Sequence, residues 1–125
     1  MNAGDAFKLV GVADQHLWIV LSDPSIDSTR VLIVNLTTYD RYEDQAVILN
    51  IGDHPFVAHK TCVAYSRARM ASDAQLEQLR TSGKLTPYTP VSRELLERLR
   101  LGALTSDRIK TEHLELLRNQ GFVEL

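Results

Sequence analysis

Five short apolar runs within the first 65 residues constrain the fold of this chain more than any other feature. They cover residues 6–12, 17–21, 30–37, 45–49 and 61–65, and several are rich in Val and Ile. Each is too short for a stable helix, and clusters of Asp, Ser, Gly and Pro separate them. Runs of that kind read as strands. Pro24 stops the second run, because it has no N–H for a ladder and biases Asp23 away from helix. Gly52-Asp53 ends the fourth. The spacing predicts an antiparallel meander closed into a small barrel.

The chain changes character after residue 71. Ser72 is placed to cap a helix running from Asp73 to Thr81, with Gln75 at the capping-box position. Leu76 and Leu79 mark its buried side and Gly83 ends it. Residues 84–90 carry two prolines and read as a connector. Ser92 caps a second helix with Leu95, Leu96 and Leu99 at core-facing spacing. Gly102 is read as its stop. Thr105 or Ser106 is expected to cap a third helix, with Ile109, His113, Leu116 and Leu117 near one stripe. Gly121 suits a C-cap, with Phe122 folding back on the last turn. Strands followed by helices predict the α+β class. The expected organisation is one domain over 1–125, a barrel core over 1–71 and a helical part over 72–125.

Bulk properties narrow the function classes. The 125 residues carry a formal net charge of -2, with 44% hydrophobic and 24% charged residues. There is no global basic field, so any nucleic-acid contact must use a local patch. No apolar run is long enough to span a bilayer. The opening Met1-Asn2-Ala3-Gly4-Asp5 has no charged segment leading into an apolar core, and a cytoplasmic location is expected. A single cysteine, Cys62, excludes an internal disulfide.

Chemistry-bearing side chains concentrate between Asp53 and Cys62. That stretch holds His54 and His59, two of the chain's four histidines, beside Lys60 and Thr61. Imidazole both takes and releases protons near neutral pH. Asp53, His54, His59 and Cys62 are also zinc-type ligands. Strand alternation, however, sends His59 and Cys62 to opposite faces, and the spacing matches no standard zinc pattern. No metal site and no cofactor are assigned. In Gly52-Asp53-His54-Pro55 the chain turns, and His54 reads as part of that turn. An apolar-flanked Cys62 reads as buried and inert.

The pattern Gly4-Asp5, then His16-Leu17-Trp18-Ile19-Val20-Leu21-Ser22, then Val34-Asn35-Leu36-Thr37-Thr38, then Val47-Ile48-Leu49, then the 59–63 segment, resembles the MazF/PemK/Kid family of toxins. The resemblance covers the part of the chain up to about Ala71. It implies an SH3-like barrel with C-terminal helices, a homodimer, and metal-independent endoribonuclease activity on single-stranded RNA, held in check by an antitoxin protein. The family's catalytic Arg falls on His16 and its catalytic Thr on Thr37, with Thr38 beside it. The polar pair opening the later strand falls near His59 and Thr61. Arg is permanently charged and grips phosphate through two parallel donors, whereas His does so only when protonated. Either His16 takes over as base or acid, or cleavage has been lost. The helical part after Ser92 exceeds what the family needs and offers an added dimer or partner surface.

Metal-free RNA cleavage needs a base for the ribose 2′-hydroxyl, an acid for the leaving oxygen, and donors for the charged phosphorane. His16, Thr37 and His59 are the expected catalytic residues. Thr38, Lys60, Thr61, Arg67 and Arg30 are expected to bind substrate. Arg69 and Lys8 add positive charge, and Tyr39, Tyr42 and Tyr65 are candidates to stack on unpaired bases. Arg93, Arg98 and Arg100 interleave with Glu94 and Glu97 and read as a salt-bridged exposed face. His113, among leucines, reads as helix packing. The rival expectation is a non-catalytic barrel that binds a protein partner, or an accessory protein of a mobile element.

Overall fold

A computed structural model describes residues 1–11 and 16–124. Six strands form one antiparallel sheet: β1 (Ala6–Leu9), β2 (Trp18–Val20), β3 (Val31–Thr38), β4 (Ile48–Leu49), β5 (Thr61–Ala71) and β6 (Leu85–Tyr88). Their order across the sheet is β4-β5-β3-β2-β1-β6. Three helices complete the fold: α1 (Asp73–Thr81), α2 (Arg93–Thr105) and α3 (Thr111–Asn119). The α+β class stands. The sheet itself is open rather than closed into a barrel. β4 has only two residues, and β4 and β6 occupy opposite edges. Pro87, without an N–H, lies on the β6 edge, where a missing donor is tolerated. Among the described residues no helix is long and apolar enough to cross a membrane.

Strand alternation divides the core. Leu32, Val34 and Leu36 of β3 join Ile19, Val63 and Tyr65 on one face, beneath Leu95, Leu99 and Ala103 of α2 and Leu116 and Leu117 of α3. Val31 and Ile33 of the same strand join Phe7, Trp18 and Val20 on the other face, beneath Leu76 of α1. Each apolar residue taken from water contributes roughly 1.5–3 kcal/mol, so the larger first face carries most of the stability.

Several helix ends follow the expected chemistry. The Ser72 side chain accepts from the Gln75 N–H and the Gln75 side chain reaches back, completing the capping box of α1. The Ser92 side chain accepts from the Leu95 N–H at α2. Gly121 adopts φ +82° after α3, and the Phe122 N–H donates to the Leu117 carbonyl.

Several expectations are corrected. Residues 84–90 are not only a connector, because β6 pairs with β1 from Leu85↔Leu9 to Tyr88↔Ala6. Gly102 does not stop α2. A Cβ there would stand 2.1 Å from Val47 Cγ2 and 2.6 Å from Tyr65 Oη, so glycine serves close helix–sheet approach. Neither Thr105 nor Ser106 caps α3, which starts after Lys110. The Ser106 hydroxyl donates instead to the buried Asp44 and accepts from the Arg108 and Ile109 N–H groups. β5 extends past residue 65 to Ala71, and β4 is shorter than 45–49. The first strand ends at Leu9; Val12, its expected end, lies outside the described residues.

β5 reaches its length through an irregularity. Ile33 pairs with Arg69 and Asn35 with Ala64, so two steps on β3 span five on β5. The extra chain forms a bulge between two properly paired arms.

Candidate functional site

The excursion of β5 forms one wall of an open cleft of about 780 Å³. Its floor continues the second sheet face beyond Ile33, where Asn35 and Thr37 follow on β3. Trp18 and His16 lie on one side, and Ser66, Arg67, Ala68 and Arg69 line the β5 side. Lys110, immediately before α3, and Thr38 complete the rim. Arg67, Arg69 and Lys110 are cationic, and no carboxylate lines the cleft among the described residues. Low-dielectric walls with one sign of charge concentrate field and attract anions.

His16 and Thr37 therefore line the same concavity. His16 Nδ1 is 2.9 Å from the Leu36 carbonyl oxygen. A carbonyl only accepts, so Nδ1 carries the hydrogen and Nε2 of the neutral ring keeps its lone pair. Thr37 is half-buried, and its register partner on β5 is Cys62. Thr38 Oγ1 is 3.0 Å from Nε2 of the exposed His59. His59 thus touches a residue of the rim without lining the cleft itself.

The other expected binding residues separate. Thr61 is buried, and its hydroxyl donates to the His59 carbonyl at 2.8 Å, which occupies its proton. Lys60 Nζ lies 4.1 Å from the Tyr39 ring centroid, outside the cleft lining. Arg67 lines the cleft and also meets Glu43 at 3.2 Å. Arg30 stands at the opposite end of β3 from Thr37, roughly 23 Å away at strand rise. There it is exposed and pairs with Asp27 at 3.0 Å, so it is not part of this site. Lys8 Nζ lies 4.9 Å from the Tyr88 ring centroid, away from the cleft. Tyr65 is fully buried and donates to the Leu99 carbonyl at 2.6 Å, so it cannot stack on a base.

Within the histidine–cysteine stretch, His54 and Cys62 are structural. His54 is buried; its Nε2–H donates to the Thr89 carbonyl at 2.7 Å and its Nδ1 accepts from the Phe56 N–H at 3.1 Å. Both ring nitrogens are satisfied by the neutral form. Cys62 is buried, and desolvation, assisted by Glu43 and Asp44, pushes its thiol up to about 11. At neutral pH it offers no thiolate. Among the described residues no group of three or more His, Cys, Asp or Glu side chains is placed to hold a metal ion.

Asn35, Trp18 and Lys110 are among the lining residues that escaped the sequence reading as site groups. Asn35 interrupts a β-branched run, and an amide inside such a run is the one signal that marks it. Trp18 reads there only as part of an apolar strand. Lys110 carries no local signal, since the chain reversal after α2 delivers it. In comparisons with known proteins, no family model matches the chain and no curated protein matches it.

Proposed function

We propose that this protein is a metal-independent endoribonuclease acting on single-stranded RNA in the cytoplasm. On this reading it is a growth-inhibiting toxin of MazF/PemK type, working as a homodimer and neutralised by an antitoxin. One observation supports the reading above others: His16 and Thr37, distant in sequence, share a cleft whose described charges are all positive.

The chemistry is assigned group by group. His16 Nε2 takes the proton of the ribose 2′-hydroxyl. The 2′-oxygen attacks phosphorus, and the bond from phosphorus to the 5′-oxygen breaks. The Thr38 hydroxyl gives its proton to that oxygen and is reprotonated by His59 as imidazolium. Arg69, Arg67 and Thr37 donate to the phosphoryl oxygens as charge builds. The products are a 2′,3′-cyclic phosphate and a free 5′-hydroxyl. Here His16 replaces an electrostatic clamp with a base, and the clamp passes to the arginines of the β5 excursion.

Incubation with mixed-sequence single-stranded RNA, with and without chelator, tests this. Chelator-insensitive cuts with cyclic phosphate ends are expected, slowed about a hundredfold in His16→Ala. Circular dichroism and the melting profile of that variant should match the parent. Absence of cutting by the parent protein, or undiminished cutting by His16→Ala, overturns the assignment. The exposed position of His59, off the cleft, favours a second reading in which the cleft binds RNA or a partner without cleaving. Growth arrest on expression with RNA left intact would select that reading.

A further inference from the structure

Asn35 is the least explained side chain of the cleft. It is 3% exposed, and its Oδ1 is buried with no hydrogen-bond partner among the described residues. Toward α1 its neighbours on the same face of β3, Ile33 and Val31, are apolar, and on the other side stands the half-buried Thr37. An unpaired buried amide oxygen is costly, and an apolar residue of the same shape would remove that cost. Asn35 nevertheless lines the cleft. Its register partner on β2 is Trp18 and on β5 is Ala64, the smallest side chain that a strand position offers short of glycine. Ala64 stands where the β5 excursion begins, so the chain beside Asn35 leaves the regular ladder at that rung. On the β5 side, the Arg69 guanidinium carbon lies 5.8 Å from the Trp18 ring centroid.

We infer that Asn35 is a base-reading group: its carboxamide receives the hydrogen-bonding edge of an unstacked nucleobase lying against Arg69 and Trp18. The inference rests on the proposed action on RNA and adds what the cleft recognises besides phosphate. Phosphate oxygens only accept at neutral pH, so an orphaned acceptor is not there for phosphate. A nucleobase edge presents a donor beside an acceptor, which an amide matches with Oδ1 and Nδ2 together. Guanidinium planes and indoles are the surfaces on which unpaired bases stack. Arg69 thus serves both sugar–phosphate attraction and base stacking, and Asn35 supplies the direction-specific contact. A ribose hydroxyl is the other ligand donor within the same chemistry, and the experiment separates the two.

The test uses His16→Ala protein, which leaves RNA intact on the proposed mechanism, and fluorescence anisotropy at one salt concentration. The probes are short single-stranded oligomers of rA, rC and rU, and an abasic ribose–phosphate oligomer of equal length. At least one base-bearing oligomer is expected to bind about tenfold tighter than the abasic one. Adding Asn35→Leu should erase that difference, leave abasic binding unchanged, and keep or raise the melting temperature. Adding Asn35→Asp, which turns the outer donor into an acceptor, should reorder the preference among the three bases and serves if the leucine variant fails to fold. An undiminished preference in both variants overturns the inference and leaves the nuclease reading standing. Equal weakening of abasic and base-bearing oligomers assigns Asn35 to the ribose and overturns base reading. Failure of every oligomer to bind, the abasic one included, overturns the nucleic-acid reading and this inference with it.

Discussion

The two faces of the sheet are finished differently, and β3 passes through both. Toward α2 and α3 it presents Leu32, Val34 and Leu36, all buried in one apolar cluster. Toward α1 it presents Val31 and Ile33, then Asn35 and Thr37. α1 has nine residues, about 13 Å of helix, and its Leu76 packs with the first part of that face. Where Val31 and Ile33 give way to Asn35, the face stops being core and becomes the floor of a cleft. Polarity along one face of one strand records how far its covering helix reaches.

This contrast sets what substitutions should do. Leu99 is fully buried on the two-helix face, and Leu99→Ala should cost about 3 kcal/mol in denaturant unfolding. Thr37→Val on the cleft floor should stay within about 0.5 kcal/mol of the parent. Equal costs at the two positions would erase the distinction between a closed face and an open one. Gly102→Ala gains helix propensity but drives a Cβ into Val47 and Tyr65, and a net loss of about 2 kcal/mol is expected. Arg69→Ala should leave the melting temperature unchanged and weaken RNA binding about fivefold. It should also reduce the slope of log affinity against log salt by about one. A lost fold with unchanged binding would move Arg69 from the ligand to the core.

The smallest effect is one of pH. His113 is buried on α3, and burial holds its pKa below the usual imidazole range. Glu112, with Oε1 3.8 Å from Nε2, pulls the other way, and Lys110 adds to the lowering. The unfolded chain then binds this proton more readily than the folded one. Stability is therefore full above the ordinary imidazole range and declines as pH falls through it. His113→Leu should flatten that part of a stability–pH curve. A parent curve already flat between neutral and mildly acid pH would contradict the assignment.

Much of the frame was legible where a local rule acts alone. Ser72 with Gln75, Ser92 before a leucine stripe, and Gly121 at positive φ each announce a helix end by their own chemistry. Gly102 was misread because a glycine demanded by close packing looks, in one dimension, like a glycine that ends a helix. β6 was hidden by Pro87 and Pro90, and Leu85 is its one fully buried residue. Beyond Tyr65, the excursion of β5 breaks the two-residue alternation on which strand reading depends. Within the site, the resemblance placed His16 and Thr37 in one region, and the cleft contains both. Arg30 was misplaced because charge was weighed without distance along the strand. Lys110 belongs to the cleft only through the tertiary path of the chain.

The β5 excursion has an architectural consequence. Because the ladder resumes in proper register on either side of it, the exposed pair Ser66-Arg67, held between the buried Tyr65 and Ala68, behaves like an adjustable insert in a fixed frame. Lengthening or trimming that insert would reshape the lip of the groove while the surrounding hydrogen-bonded rungs stay as they are. Related sequences could therefore retune what they grip by editing a few consecutive codons, with no redesign of the scaffold beneath.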